Sequence, residues 1–261
     1  MAKSKTNICL IGAGNLAHHL ALRLFQQDIY ISQIFSRKKK NATVLAKLVS
    51  TKATHKISEI TTDADLYIIA VSDGAIGKVA EKLSEVIDPK KSLVVHTSGA
   101  TPSTILQKHF KHFGVFYPLQ SFSKEKAVDF SSIPICIDAK YKRDLKRLEK
   151  IGQQLSNKVF TISDEQRATL HVAAVFVNNF SNLMYRLSDE ILAKKELPFD
   201  LLRPLLLETA LKVQEHSPKD MQTGPAARGD QETMDRHIDY LKEEHPDLWV
   251  LYQKLSAQIR N

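Results

Sequence analysis

Short apolar runs alternate with amphipathic stretches through the first 160 residues of the chain. Runs such as residues 7–11 and 92–96 are apolar at nearly every position, which is typical of strands buried on both faces. Between the runs, residues such as Leu16, Leu20 and Leu24 recur with helical spacing. Strands in alternation with helices predict a parallel sheet covered on both sides. The predicted strands are 7–11, 30–36, 51–54, 65–71, 92–96, 114–117, 133–137 and 158–162, and the predicted helices are 15–27, 41–49, 76–86 and 141–156.

After Ser163 the pattern becomes helical, and strand-type alternation no longer occurs. The sequence therefore predicts two domains, an α/β domain over residues 1–162 and an all-α domain over residues 163–261. The predicted segments of the second domain are a long helical pattern over 164–194 opened by a Ser/Asp cap, a helix that begins at Pro198, a polar loop over 217–230, and helices over 231–243 and 247–259.

The first predicted strand runs directly into a glycine-rich turn, Gly12-Ala13-Gly14-Asn15-Leu16-Ala17. Gly12 permits a tight turn, Gly14 lets the backbone approach a pyrophosphate, and Ala17 lets the following helix pack closely on the strand. The helix N-terminus adds free N–H groups and the positive end of a dipole. Such a motif alone is weak, and a purely structural turn is the alternative. Its position inside a βαβ unit favours a dinucleotide-binding Rossmann domain.

The end of the second strand indicates which dinucleotide binds. NAD-binding domains place an acidic residue there to accept hydrogen bonds from the ribose 2′-hydroxyl. This chain has Ser36, Arg37 and Lys38 instead, and no acid nearby. Because a guanidinium can hold a 2′-phosphate that an acid would repel, the sequence favours NADP(H) over NAD.

Composition narrows the class of protein further. The chain has 261 residues, 43% of them hydrophobic, and no apolar run near the roughly 18 residues of a membrane helix. Its N-terminus does not resemble a signal peptide, so we expect a cytoplasmic protein without membrane contact. Cys9 and Cys136 lie in strand-like runs and are expected to be core residues, and no spacing indicates a metal site.

The formal net charge of +8 raises the question of nucleic acid binding. The lysine clusters are short, separated by acidic residues, and lack interleaved aromatic side chains. We therefore expect a solvated basic surface that attracts small anions and does not bind nucleic acid.

Three polar segments follow predicted strands and should meet at the carboxyl edge of the sheet. Ser72 and Asp73 are expected to border the cofactor, with helix capping as the alternative. Ser98 and Gly99 could orient a substrate carbonyl or carboxylate, whereas His96 is more typical of a structural histidine. The predicted cofactor-binding residues are Gly12, Ala13, Gly14, Asn15, Leu16, Ser36, Arg37, Lys38, Val71, Ser72 and Asp73.

The chain as a whole resembles two-domain dehydrogenases that join a Rossmann domain to a helical domain. This superfamily includes 3-hydroxyisobutyrate, 6-phosphogluconate and prephenate dehydrogenases and pyrroline-5-carboxylate reductase. The resemblance is strongest to a bacterial branch of deazaflavin-dependent-like NADP oxidoreductases. It implies a 6-phosphogluconate-dehydrogenase-like C-terminal domain and rests on residues 96–100, 117–122, 171–174, 178–180 and 222–230.

The resemblance implies site residues on the first long helix of the second domain. Hydroxyacid members carry a proton-transferring lysine one turn before an asparagine. This chain keeps Asn178 but lacks the lysine, and His171, one further turn back, could replace it as general acid and base. An interface histidine is the alternative. On α-helical spacing, His171 would share a face with Val175, Asn178 and Asn182.

Comparison with prephenate dehydrogenases implies roles for the strand-end residues. Ser98 and Tyr117 occupy places similar to those of a serine and a catalytic histidine in that family. Related helical domains bring the loop that contains Arg228 to the active site, which makes Arg228 a candidate for holding an anionic substrate, with helix capping by the loop as the alternative. The predicted catalytic residues are Ser98, Tyr117, His171 and Asn178, and the predicted substrate-binding residues are Gly99, Gln120, Asn182 and Arg228.

These observations predict an NADP(H)-dependent oxidoreductase that acts on a small carbonyl, hydroxy or imine compound bearing a carboxylate, with a deazaflavin as a further hydride partner. The missing lysine leaves one alternative, a non-catalytic NADP(H)-binding regulatory or redox-sensing protein. The stretch 170–192 is apolar around much of its circumference, so we also expect a homodimer through the helical domain.

Overall fold

The structure is a computed structural model that describes residues 6–260. The chain divides into two compact units, of which the first ends at Asn178 and the second begins at Asn179. The first unit contains the whole sheet and five α-helices, and the second is helical throughout its described part.

One eight-stranded sheet forms the centre of the first unit, with strand order β3-β2-β1-β4-β5-β6-β7-β8. All neighbouring strands are parallel except β6 and β7. The order reverses between β1 and β4, which is the switch point where doubly wound sheets bind ligands. The strands are β1 Asn7–Ile11, β2 Tyr30–Phe35, β3 Lys52–Thr54, β4 Leu66–Ile69, β5 Leu93–His96, β6 His112–Pro118, β7 Ile135–Ala139 and β8 Val159–Thr161.

Helices cover both faces of this sheet. On one face, Leu20, Leu45 and Leu148 pack with Ile8 and Leu10 in one buried cluster. A second cluster on the other face joins residues of α3 to the alternate side chains of β1 and β4. The predicted Rossmann-like fold is therefore confirmed. The helices of this unit are α1 Asn15–Gln26, α2 Lys39–Leu48, α3 Ile76–Ser84, α4 Lys142–Leu155 and α5 Asp164–Ala174.

The sheet departs from the expected parallel arrangement at one position. β6 and β7 run antiparallel, with Tyr117 opposite Cys136. The connection between them contains only a short 3-10 helix, Phe130–Ser132. Two parallel neighbours need a crossover connection, which is usually an α-helix. The connection between β6 and β7 is a loop that reverses the direction of the chain, so β7 pairs antiparallel with β6.

The compact units differ from the predicted division at 162/163. Strands do end at Thr161, and the expected serine cap is confirmed, since Ser163 and Gln166 form a reciprocal capping box at the start of α5. However, α5 packs with the sheet unit, because the buried Arg167 is bonded to the loop after β5. The functional division into domains 1–162 and 163–261 stays a prediction.

A π-helical turn, Val175–Phe180, follows α5 directly and precedes α6, Ser181–Ala193. A π-helix winds more loosely than an α-helix, so α-helical spacing does not extend across it. The shared face assumed for His171, Asn178 and Asn182 is therefore wrong as a spacing argument. The remaining helices are α7 Arg203–Glu215, α8 Pro225–Arg228, α9 Gln231–Glu244 and α10 Trp249–Arg260.

Membrane-spanning helices, metal-binding clusters and the two cysteines were considered over residues 6–260. No helix in this range has the length and hydropathy to cross a membrane. Nor do three His, Cys, Asp or Glu side chains of this range cluster so as to hold a metal ion. Cys9 and Cys136 are free and buried, as expected, and burial raises the pKa of the Cys9 thiol to about 12. Both cysteines are therefore packing residues.

Candidate active site

The turn between β1 and α1 is built around Gly12. Its φ of +134° lies in a region that side chains rarely adopt, and an added Cβ would lie 2.0 Å from the Ala70 carbonyl oxygen. The Gly12 N–H donates to the Phe35 carbonyl oxygen at 2.8 Å, so the turn is fixed against both neighbouring strands. Only glycine fits at this position.

The N-terminus of α1 faces the space beside this turn. Gly14 is the N-cap residue, and its extended backbone forms no side-chain cap for the first N–H groups of the helix. A Cβ at Gly14 would meet nothing within 4 Å. The uncapped N–H groups and the helix dipole therefore have room for an anion of the size of a phosphate.

A cleft of about 1180 Å³ opens at the carboxyl edge of the sheet around this turn. It is large enough for an extended dinucleotide, since small-ligand sites span roughly 300–1,000 Å³. The eleven residues predicted to bind the cofactor all lie in its lining: Gly12, Ala13, Gly14, Asn15, Leu16, Ser36, Arg37, Lys38, Val71, Ser72 and Asp73.

One end of the cleft is basic. Ser36 is held in place because its N–H donates to the Thr54 carbonyl oxygen at 3.1 Å, and Arg37 and Lys38 follow it with exposed side chains. Five further polar lining residues were missed by the sequence analysis, although they follow β3 or lie on α2 and α3 at the same edge of the sheet. They are Asn41, His55, Lys78, Glu81 and Lys82.

The Ser72 side chain borders the cleft and does not cap a helix. Ser72 is the N-cap of the 3-10 helix Asp73–Ala75, yet its side chain makes no capping hydrogen bond. Its hydroxyl is therefore available to the cleft, which favours the first of the two roles expected for it.

A second cluster of predicted residues meets near the ends of β5 and β6. The Tyr117 hydroxyl lies 3.4 Å from Nδ1 of His171, and their rings meet edge to face with centroids 6.3 Å apart. Gly99 lies against both: an added Cβ would be 2.6 Å from His171 Nδ1 and 2.7 Å from Tyr117 Cζ. Residues from three distant parts of the chain thus form one contact.

The chemistry of this cluster depends on the protonation of Tyr117. Burial raises the pKa of the phenol to about 12, so the hydroxyl stays protonated at neutral pH. The direction of the hydrogen bond follows the imidazole, because an unprotonated Nδ1 accepts from the phenol whereas an Nδ1–H donates to the phenol oxygen. His171 is half-buried, so one side of the ring is accessible.

Ser98 and His96 serve the turn that carries Gly99. The Ser98 hydroxyl accepts from the N–H groups of Ala100 and Thr101 at 3.2 and 2.9 Å and bonds to the Thr101 hydroxyl at 2.9 Å. His96 is completely buried and accepts from the Ser98 N–H. Burial, followed by the charge of Arg167, lowers the pKa of His96 to about 4 and keeps it neutral. Both side chains hold the backbone of this turn.

Arg167 joins the same turn to α5. It is 1% exposed, and its Nη2 donates to the Thr101 carbonyl oxygen at 2.6 Å. Its Nη1 lies 2.7 Å from a carboxylate oxygen of Asp164. The other oxygen of Asp164 accepts from both the N–H and the hydroxyl of Ser103 at 2.8 and 2.9 Å. This Arg167–Asp164 pair fixes the turn on α5, one helical turn before His171.

Known proteins resemble the chain over its whole length. Residues 7–99 match the family described as NADP oxidoreductase, coenzyme F420-dependent, and residues 133–259 match the Domain of unknown function (DUF2520). BF3122 from Bacteroides fragilis, assigned as an NADP oxidoreductase, is 42% identical, with 98% of each chain covered and a TM-score of 0.90. The chain belongs to this family of Rossmann-like NADP oxidoreductases with a helical C-terminal domain.

Two other solved structures are similar. Protein TM1727 from Thermotoga maritima is 26% identical over 97% of this chain and 98% of its own, with a TM-score of 0.81. An imine reductase from Myxococcus stipitatus in complex with NADP+ shares the fold at 13% identity, with 97% and 93% covered and a TM-score of 0.70. No curated protein matches the chain.

NADP(H) is the cofactor of this oxidoreductase family, and the cleft fits it. The uncapped helix N-terminus suits a pyrophosphate, the glycine at position 12 allows the close turn, and the basic end suits a 2′-phosphate. The individual contacts of the eleven predicted residues with the cofactor stay a prediction.

The four remaining predicted site residues all have exposed side chains. Gln120 is exposed, and its side-chain oxygen accepts from the Ser121 N–H. Asn178 is exposed in the π-helical turn, and Asn182 is exposed at the start of α6. Arg228 ends the four-residue helix α8 with an exposed side chain. Asp230 caps α9 by accepting from the Thr233 N–H, so the loop has the capping role as well.

Proposed function

We propose that this oxidoreductase transfers a hydride between the nicotinamide of NADP(H) and a small carbonyl, hydroxy or imine compound that bears a carboxylate. The contact of Tyr117 and His171 over Gly99 is the observation that carries the proposal. It places a proton donor and a group that can exchange protons together at one edge of the sheet.

The position of the pair relative to the cofactor cleft supports this proposal. Thr97 lines the cleft and is fixed to β4, since its N–H donates to the Ile69 carbonyl oxygen at 3.2 Å. Gly99, two residues later, packs against both rings of the pair. The cofactor cleft and the pair are therefore linked by three residues of one buried turn, which suits a reaction between cofactor and a small molecule.

Each residue has a distinct role in this proposal. Bound NADPH supplies a hydride, and NADP+ accepts one. During reduction, an imidazolium at His171 gives its Nε2 proton to the substrate oxygen or nitrogen. The neutral imidazole that remains keeps its Nδ1 proton against the Tyr117 oxygen and takes a proton back at Nε2 during oxidation. Tyr117 keeps its own proton and donates it in a hydrogen bond to the same substrate atom. Gly99 leaves space for both rings, and Ser98 and His96 hold its backbone.

The substrate carboxylate requires a cation. We propose Arg228 for this role, because a guanidinium can bind both oxygens of a carboxylate and its side chain is exposed. Asn178, Asn182 and Gln120 are proposed as further polar contacts, and all three side chains are likewise exposed. A deazaflavin is a second hydride partner to test, since a family of coenzyme F420-dependent oxidoreductases matches residues 7–99.

The proposal includes a homodimer formed through the helical unit. Its helices α6 and α7 bury none of their residues in the single chain. Leu201, Leu205 and Leu207 are each more than half exposed. A second copy is the proposed occupant of this surface, because equal apolar patches can cover each other. A cytoplasmic location is proposed with it.

A substrate screen tests the proposed function. NADPH oxidation is followed at 340 nm with keto acids, cyclic imino acids and a deazaflavin, using wild type and the variants His171→Ala and Tyr117→Phe. We expect turnover of at least one carboxylate-bearing compound, and a loss of roughly 10²–10⁴-fold in His171→Ala with unchanged NADPH affinity. Tight NADPH binding without turnover, or His171→Ala activity equal to wild type, would contradict the proposal. The first of these results would support the regulatory protein instead.

A further inference from the structure

We infer that Lys124 is part of the cofactor site and binds the pyrophosphate of NADP(H). Lys124 lies on the loop between β6 and β7, outside every segment that the sequence assigned to the cofactor. Its ammonium donates to the carbonyl oxygen of Ala13 at 3.2 Å, in the middle of the phosphate-binding turn. The inference rests on the proposed function only in taking NADP(H) as the ligand of the cleft.

Three separate bonds fasten this loop to the turn and to α1. Besides the Lys124 bond, Nδ2 of Asn15 donates to the Phe122 carbonyl oxygen at 3.0 Å. Nε2 of His19 lies 2.8 Å from the Ser123 carbonyl oxygen. Ala13 and Asn15 line the cofactor cleft, so the loop is attached to the part of the cleft where the pyrophosphate is expected.

Aromatic packing also holds the loop that carries Lys124 in place. The Phe122 ring stacks on His19 with centroids 5.4 Å apart and on Phe130 with centroids 6.1 Å apart. The backbone that carries Lys124 therefore has a defined position relative to α1. The Lys124 side chain is exposed, and its ammonium group bonds to the turn.

The charge of the turn explains why a lysine here would bind the cofactor. Residues 12–17 contain no charged side chain, whereas a pyrophosphate carries two negative charges. The helix N-terminus supplies only about half a positive charge. A lysine ammonium has three N–H donors, of which the Ala13 carbonyl oxygen takes one. The other two can reach phosphate oxygens beside the turn and complete the neutralisation.

Two titratable side chains lie near Lys124. The Glu125 carboxylate accepts from the Ser123 hydroxyl at 2.7 Å, and this bond and, to a smaller degree, the charge of Lys124 lower the pKa of Glu125. Burial, His19 and Lys124 lower the pKa of His18. The Lys124 ammonium bonds to the turn itself, through the Ala13 carbonyl oxygen.

Titration calorimetry with three ligands tests this inference. The variants are Lys124→Met and Lys124→Arg, with Lys126→Met as the matched control, since Lys126 is an exposed lysine on the same loop. We expect Lys124→Met to bind NADPH and NADH about tenfold more weakly, by the same factor for both, because they share the pyrophosphate. Binding of adenosine 2′-monophosphate, which lacks it, should not change, and Lys124→Arg should keep most of the affinity.

Each other outcome overturns the inference. NADPH and NADH affinities within twofold of wild type would show that Lys124 only fastens the loop. An equal loss for adenosine 2′-monophosphate, or the same loss in Lys126→Met, would show a disturbed fold or a general charge effect. If wild type bound neither dinucleotide, the proposed function would fail first, and the two failures are thereby distinguished.

Discussion

At the scale of single residues, Gly99 decides how closely the reacting groups can approach each other. Its missing side chain leaves the space that the rings of Tyr117 and His171 fill. The backbone around it is held by hydrogen bonds of Ser98 and His96 within the turn. The catalytic role predicted for Ser98 stays a prediction.

Replacing Gly99 with alanine tests this assignment. The new Cβ would lie 2.6 Å from His171 Nδ1 and 2.7 Å from Tyr117 Cζ, so at least one ring must move. A displacement near 1 Å in a catalytic group costs on the order of 10²-fold in rate. We expect Gly99→Ala to lose turnover by about this factor in the NADPH oxidation assay while its NADPH affinity, measured by calorimetry, stays within twofold. Ala100→Ser, at the exposed next residue, is the control, and full activity in Gly99→Ala would refute the role.

We propose that Arg37 sets the choice between the two dinucleotides. It lies at the basic end of the cleft next to Ser36, where a 2′-phosphate is expected. We expect Arg37→Ala to weaken NADPH binding by roughly 10- to 100-fold, the range of a charge-assisted hydrogen bond, and to leave NADH binding unchanged. Lys40→Ala is the control, because Lys40 is an exposed lysine near the start of α2, three residues after Arg37. Equal losses for NADPH and NADH would contradict the assignment.

The sequence predicted the cofactor turn well because its signal is local. The roles predicted for Gly12, Gly14 and Arg37 depend only on the residues next to them along the chain. The contact of Gly99 with Tyr117 and His171 is different, since it depends on how three separate segments pack. Their candidacy could be inferred from strand ends and a family resemblance, but their mutual contact could not. The role of Ser98 in holding its own turn was missed for the same reason.

At the scale of elements, α5 is the part of the helical sequence that belongs to the sheet unit. Asp164 and Arg167 bind the loop after β5 through Ser103 and Thr101. A buried ion pair is a weak source of net stability, but breaking it leaves an unpaired buried charge. The pair therefore fixes where α5 lies on the sheet, and with it the position of His171.

The Asp164 carboxylate makes the stability of the first unit depend on pH. Burial alone would raise its pKa, but hydrogen bonds from Arg167 and Ser103 outweigh this and hold the pKa below its ordinary value. A lowered folded-state pKa adds stability above the unfolded value of about 4, which is lost as the pH falls through the folded value. We expect the free energy of unfolding in urea to fall less steeply below about pH 4 in Asp164→Asn than in wild type. Glu165→Gln is the neighbouring control, and identical slopes would contradict the role.

Two elements could not have been predicted from the periodicity. The antiparallel pairing of β6 and β7 depends on the path of a loop, whereas the strand pattern itself is the same for both directions. The π-helical turn at Val175–Phe180 changes the winding without changing which residues are apolar. The short helix α8, Pro225–Arg228, lies inside the stretch 217–230 that was predicted as a polar loop. In contrast, the other strands and α-helices were predicted to within a few residues, because their apolar spacing is strong.

At the scale of the whole molecule, most of the large apolar side chains that are exposed lie in the second unit. Leu205 and Leu207 on α7 are each 61% exposed, and Leu201 just before it is 62% exposed. Monomeric proteins rarely leave large apolar patches open to water. This is the surface that we propose a second copy of the chain covers.

Light scattering coupled to size exclusion tests the homodimer. We expect wild type to elute with twice the mass of 29.4 kDa, and Leu205→Asp to elute as a monomer, because a charge in an apolar interface is costly to desolvate. Val44→Asp is the matched control, since Val44 on α2 is also about half exposed and lies in the sheet unit. A monomeric wild type, or a dimer in Leu205→Asp, would refute the proposed interface.

A crystal structure with bound NADP+ tests the central claim most directly. The account predicts the pyrophosphate against the N–H groups of residues 14–16 and the 2′-phosphate beside Ser36 and Arg37. Nicotinamide C4 should lie within about 7 Å of both Tyr117 Oη and His171 Nε2, because C4 has to contact the substrate carbon while Tyr117 and His171 contact the oxygen or nitrogen bonded to that carbon, each at about 3–3.5 Å. A nicotinamide ring directed away from Tyr117 and His171, with neither in reach of such an atom, would contradict the proposed reaction.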